Sequence, residues 1–188
     1  MSDNVMRDRC PEEKLGELVT AMGSGSAGAM RDLDSLLATY PLDARLRFLK
    51  GSMLAGAQNY EAARAEMRRA LDLAPDYAIA RFQLGLLTLT SGEPYAALEV
   101  WGPLHSLPQE SFLLLFVRGL SHLIRDEFAD AIALLEEGIA RNRENIPMNR
   151  DMQMVIDETR EKMRGASGGV ASSVDMLLQQ AALKASKH

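Results

Sequence analysis

Apolar side chains recur at helical spacing along most of this chain, and short polar breaks interrupt them in phase. Between residues 78 and 91, Phe82, Leu86 and Leu89 form one stripe and Leu84 and Leu87 a second, the spacing of an amphipathic helix. Gly92 stops that helix and Pro94 opens the next one. A glycine past a helix end accepts a left-handed backbone, and a proline in the first turn forfeits no hydrogen bond. The same division predicts helices over 44–56 and 60–73, and over 112–125 and 128–140. The breaks AQN, SGE and RDE fall 34 residues apart. Pro75 closes the first of these pairs after its second helix.

Small residues keep the same step. Gly51, Gly85 and Gly119 lie 34 residues apart, as do Ala63, Ala97 and Ala131, and Phe48, Phe82 and Phe116 share the register. A fixed period in Gly and Ala marks points where two helix backbones approach closely, which predicts stacked helical hairpins rather than one globular core. Trp101 falls at a second-helix position facing its hairpin partner and is expected in the core. Pro103 should bend or shorten that helix, because it lacks an N–H and crowds the preceding turn.

This pattern resembles the tetratricopeptide repeat (TPR). The Leu84-Gly85 pair, Ala63, Ala97 and Ala131, Ala70 and Gly138, and the closing Pro41 and Pro75 match that family's marks. Departures exist. Arg47, Arg81 and Leu115 stand where the family carries an aromatic, Lys50 and Arg118 replace the leucine before glycine, and Leu104 fills a small-residue slot. Gln109 and Arg143 replace later prolines. The resemblance implies an all-α, right-handed superhelix of antiparallel helical hairpins with three repeats, 44–77, 78–111 and 112–145.

The register continues faintly upstream. Pro41 and Ala29 lie one period before Pro75 and Ala63, so 11–43 reads as a degenerate hairpin (helices 11–22 and 29–39) or as two unrelated helices. Residues 1–10 read as a flexible N-terminus. Downstream, 146–164 reads as a capping helix with Asn149 at its start and Met152, Val155, Ile156, Thr159 and Met163 on one face. A terminal hairpin needs such a cover for its stacking face. Residues 165–173 read as a linker and 174–188 as an amphipathic helix with Val174, Leu177, Leu178, Ala181 and Ala185 on its stripe. That last segment either occludes a groove of this chain or of a neighbour, or extends the stack.

Charge and composition narrow the function. A net charge of −5 with interleaved acids and bases argues against a nucleic-acid role, which needs clustered Lys and Arg. The single cysteine, Cys10, allows no disulfide framework. No apolar run reaches the ~18 residues of a membrane span, so the expectation is a cytoplasmic protein.

By the resemblance, the first helix of each repeat lines a concave face. The inward positions then are Arg45, Phe48, Ser52 and Ala55; Ile79, Phe82, Leu86 and Leu89; and Leu113, Phe116, Leu120 and Leu123. This row is almost wholly apolar and lacks the Lys and Asn with which co-chaperone TPR domains hold a carboxylate. It implies an adaptor or scaffold that binds an apolar helix or peptide of another protein, with Phe48, Ile79, Phe82, Leu86, Leu89, Leu113, Phe116 and Leu120 as the partner-binding groove. Alternatives are a secretion-type chaperone for a hydrophobic client, or a homo-oligomer whose groove is self-occupied. Alternatively, the phenylalanines pack between neighbouring hairpins.

No catalytic constellation stands out. His105, His122 and His188 occupy unrelated positions, His122 reading as a packed or hydrogen-bonded residue, and no metal, phosphate-loop or nucleophile motif occurs. Glu136 and Glu137 read as solvent-facing, and the methionines as fillers. No enzyme activity, cofactor or metal is expected.

Overall fold

The computed structural model describes residues 9–26 and 28–165 of the chain. Helices are α1 (Glu12–Gly23), α2 (Ala29–Thr39), α3 (Ala44–Gly56), α4 (Tyr60–Leu73), α5 (Ala78–Thr90), α6 (Pro94–Trp101), α7 (Phe112–Ile124), α8 (Phe128–Arg141) and α9 (Ile146–Gly165), with a 3-10 turn over Gly102–Ser106. No strand occurs among the described residues. The expected linker and amphipathic segment beyond 165 lie outside them. The chain divides into two compact units with the boundary between Ala80 and Arg81, inside α5.

One device closes four of the hairpins. In each, an N–H donates to the carbonyl five residues back: Ser26 to Ala21 (3.0 Å), Asn59 to Leu54 (2.9 Å), Glu93 to Thr88 (3.2 Å) and Glu127 to His122 (3.0 Å). The residue before each donor is left-handed: Gly25 (φ 69°), Gln58 (φ 62°), Gly92 (φ 85°) and Asp126 (φ 59°). This is the glycine-type helix stop that satisfies the last free carbonyls and turns the chain sharply.

In the unit up to Ala80, Cys10, Leu18, Leu33, Leu37 and Leu46 form a buried cluster, with Leu15, Met22, Met30 and Tyr40 packed on it. Cys10 is 2% exposed, so the expectation of a flexible N-terminus through residue 10 is corrected. Apolar contact and hydrogen bonds to the start of α3 hold it.

The periodic glycines each admit a side chain sixteen residues on. Against Gly51 lies Met67, against Gly85 Trp101, and against Gly119 Leu135. A Cβ on Gly85 would fall inside the indole of Trp101, whereas one on Gly119 would lie 2.8 Å from Leu135 and 3.1 Å from the Ala131 carbonyl oxygen. Trp101 is fully buried, stacks on Phe82 at 6.1 Å and donates from Nε1 to the Phe82 carbonyl at 3.0 Å. Past it, the helix gives way to the 3-10 turn carrying Pro103.

In the unit from Arg81 onward, nine of the 13 residues of α7 are buried, so this helix is core on nearly every side. The helix α9 then buries Met148, Met152, Val155, Ile156 and Thr159. Its start differs from expectation. Asn145 Oδ1 accepts the Met148 N–H at 3.2 Å and Pro147 sits in the first turn. Asn149 instead lies inside the helix and exchanges hydrogen bonds with Asn142, Nδ2 to its carbonyl at 3.0 Å and Oδ1 from its Nδ2 at 2.8 Å. Met163, expected on the packed face, is 46% exposed.

Candidate functional site

Burial splits the eight expected groove residues. Phe82, Leu89, Phe116 and Leu120 are fully buried and Leu113 nearly so, which corrects their assignment to an exposed groove. The reason is packing. Phe116 lies 6.0 Å from Phe82 and 5.9 Å from Phe112, and its ring fills the space a Cβ on Gly138 would take. Phe48, Ile79 and Leu86 remain half-exposed. Phe48 and Ile79 belong to the unit up to Ala80, and Leu86 to the other.

Around Phe48 the surface has shape. Its ring meets Tyr77 at 5.3 Å. Tyr77, with Arg9, Leu42, Asp43, Arg45 and Asp76, lines a recess of about 640 Å³, within the usual size of a ligand pocket. Leu42 is 56% exposed, and Leu73, beside Ala74 of the lining, is 38% exposed. Burial pushes the Tyr77 hydroxyl up from its ordinary value, with opposing effects from Arg45 and Asp43, so the phenol stays neutral at physiological pH.

The polar floor of the recess is a buried ion pair. Asp43 caps α3 by accepting the Arg45 N–H at 2.9 Å, and takes the guanidinium on both carboxylate oxygens, from Nε at 3.1 Å and Nη2 at 2.7 Å. Burial alone would push the Asp43 carboxyl up. The hydrogen bonds from the Arg45 side chain, the Cys10 N–H and the Arg45 N–H outweigh it and hold the group below the usual carboxylate range. Asp43 in turn holds Arg45 firmly protonated. Burial first, then the Asp43 charge, raises the Cys10 thiol, so it is not poised as a nucleophile.

Two departures from the family pattern have local causes. Arg47 donates to Glu66 Oε2 and to the Pro41 carbonyl, both at 3.3 Å, so a charged pair fills an aromatic's place and Glu66 is 5% exposed. Lys50 pairs with Asp34 at 2.7 Å, joining α2 to α3. Elsewhere His122 bonds Glu127 at 2.6 Å beside Arg125, while Glu136 and Glu137 pair with Arg160 and Arg141. Among the described residues, no group of His, Cys, Asp and Glu could hold a metal ion, and no helix is long and apolar enough to cross a membrane.

Sequence reasoning passed over the recess because Leu42, Asp43 and Tyr77 sit in connections outside the helical stripes. Asp43 just before an apolar stripe was the available signal, since Asp is a preferred helix cap.

A family model described as tetratricopeptide repeat matches residues 24–78 and 54–101. Among solved structures, the chain is similar to MamA from residue 41 to its end, from Desulfovibrio magneticus RS-1. They share 17% identity with a TM-score of 0.56, over 90% of this chain and 95% of that one. It is also similar to a MamA RS-1 ArsTM double mutant, at 15% identity and a TM-score of 0.55 over 94% and 97%. At such identities the likeness is one of fold. No curated protein matches. The in-phase turns, the glycines seating Met67, Trp101 and Leu135, and the family match over residues 24–101 together show tetratricopeptide repeats in this chain.

Proposed function

We propose that this chain is an adaptor that captures an apolar helix or peptide of another protein on the half-exposed part of its first-helix row. A protein-interaction or scaffold role goes with its family. The finer reading rests on one observation: Phe48 and Ile79, inward positions of consecutive repeats, are half-buried and Phe48 packs on Tyr77 of the recess lining, whereas Phe82, Leu89, Phe116 and Leu120 are core. Apolar side chains spaced along a helix or an extended peptide are recognised by such surfaces. Leu86 is the corresponding half-exposed residue of the second unit.

Capture of interacting proteins by the intact chain, compared with Ile79→Asp, tests this reading. A charge placed on an apolar contact should weaken specific capture about tenfold or more, equivalent to ~1.4 kcal/mol, with helicity unchanged because Ile79 is not core. Equal capture by both chains removes the surface from consideration.

A further inference from the structure

Cys10 to Glu12 are held to the start of α3 by the side chains of Asp43 and Arg45. The Cys10 N–H donates to Asp43 Oδ2 at 2.7 Å, Arg45 Nη2 donates to the Cys10 carbonyl at 2.6 Å, and Arg45 Nη1 donates to Glu12 Oε1 at 2.5 Å. The two sides of this contact differ in exposure. Arg45 and Asp43 side chains are 17% and 2% exposed, but that of Glu12 is 75% exposed. Arg9, Asp43 and Arg45 also line the recess.

We infer that Arg45 is the seat for a carboxylate on a partner segment, and that residues 10–12 are this chain's own occupant of the seat. They form a strap that an acidic side chain entering through the recess displaces. Asp43 keeps the guanidinium paired throughout the exchange, so releasing Glu12 never leaves that charge without a partner, which would be strongly unfavourable. The released Glu12 is already mostly hydrated and loses little, since exposed ion pairs contribute weakly.

The recess fixes the rest of the partner's chemistry. Leu42 and the Tyr77 ring offer apolar contact to a residue neighbouring the carboxylate. Asp43 is already neutralised by the two-pronged guanidinium and the Cys10 N–H. Asp76 opposes an acid, so the carboxylate is read beside Arg45 and Arg9. The partner is therefore a segment with an Asp or Glu adjacent to an apolar residue. The same guanidinium holds the Cys10 carbonyl through Nη2, so displacement of Glu12 removes one of the ties on the segment that carries the only thiol of the chain, now 2% exposed.

Local opening is measured by the alkylation rate of Cys10 with iodoacetamide in the intact chain, followed by mass spectrometry. N-acetyl-Leu-Glu-amide at millimolar concentration should raise that rate about fivefold over N-acetyl-Leu-Gln-amide, the factor expected for loss of one weak ion pair. Glu12→Gln alone should raise it similarly, while the exposed neighbour Glu13→Gln leaves it unchanged. Equal rates with the two peptides, or an unchanged rate in Glu12→Gln, overturn the inference. The exchange does not require capture at Phe48 and Ile79, and its readout is separate from that capture.

Discussion

At the scale of single residues, charge and size act through what lies opposite. Gly85 and Trp101 form one unit: the missing Cβ makes room for an indole, and the buried indole N–H donates to the Phe82 carbonyl. Asp43 is the polar counterpart, tying Cys10, Arg45 and the first turn of α3 together. Its folded pKa is depressed, so its contribution is present above the unfolded carboxylate value of ~3.9. That contribution is lost as pH falls through the lower folded value. Replacing it should leave Arg45 without its main partner. Asp43→Asn is expected to lower stability at pH 7 by about 1–3 kcal/mol, and to flatten the fall in stability below about pH 4. Urea unfolding of both chains across pH 2–7 (an ordinary acid range for carboxylates) checks both parts.

At the scale of elements, the helix stops decide where the chain turns. A left-handed residue at 58, 92 and 126 reproduces the period in backbone conformation, although only Gly92 is a glycine. Glycine therefore eases the left-handed turn at one place and is merely present at another. At Gly92 a side chain would be strained, and Gly92→Ala should cost about 1 kcal/mol. Gly56 lies within α3 with open space around its Cα; there Gly56→Ala should raise stability by about 0.5–1 kcal/mol through helix propensity alone. Opposite shifts in the denaturation midpoint are the expected result, and a loss at both positions would mean that Gly56 has a packing role.

At the scale of the whole molecule, the two units have their own cores, Leu33, Leu37 and Leu46 in one, Phe82, Trp101 and Phe116 in the other. The fully buried Phe82 and Phe116 therefore belong to stability rather than to partner contact. Truncating a buried phenylalanine removes about 3–5 kcal/mol, and two such losses approach the whole stability of an ordinary domain. In Phe82→Ala with Phe116→Ala, amide exchange protection should collapse in α7 and α8 while α2 and α3 stay protected. Retained protection in α7 would show that the rings are dispensable to its core.

The hairpins were legible in advance because their causes are local. Stripes of Leu and Phe, breaks at AQN, SGE and RDE, and glycines at a constant step act through neighbouring turns of one chain. Exposure was not legible. The row from Phe48 to Leu120 reads as a uniform apolar stripe, yet Phe116 is sealed by Phe82, Phe112 and the gap at Gly138, whereas Phe48 touches Tyr77 and stays half-exposed. Asn149 likewise reads as a cap in the sequence, whereas its side chain ties to Asn142 across two elements. Sequence by itself determined the helices, their stops and the repeat. Tertiary structure alone decided which apolar side chains meet water and that Cys10, Asp43 and Arg45 come together, because both depend on contacts between residues far apart along the chain.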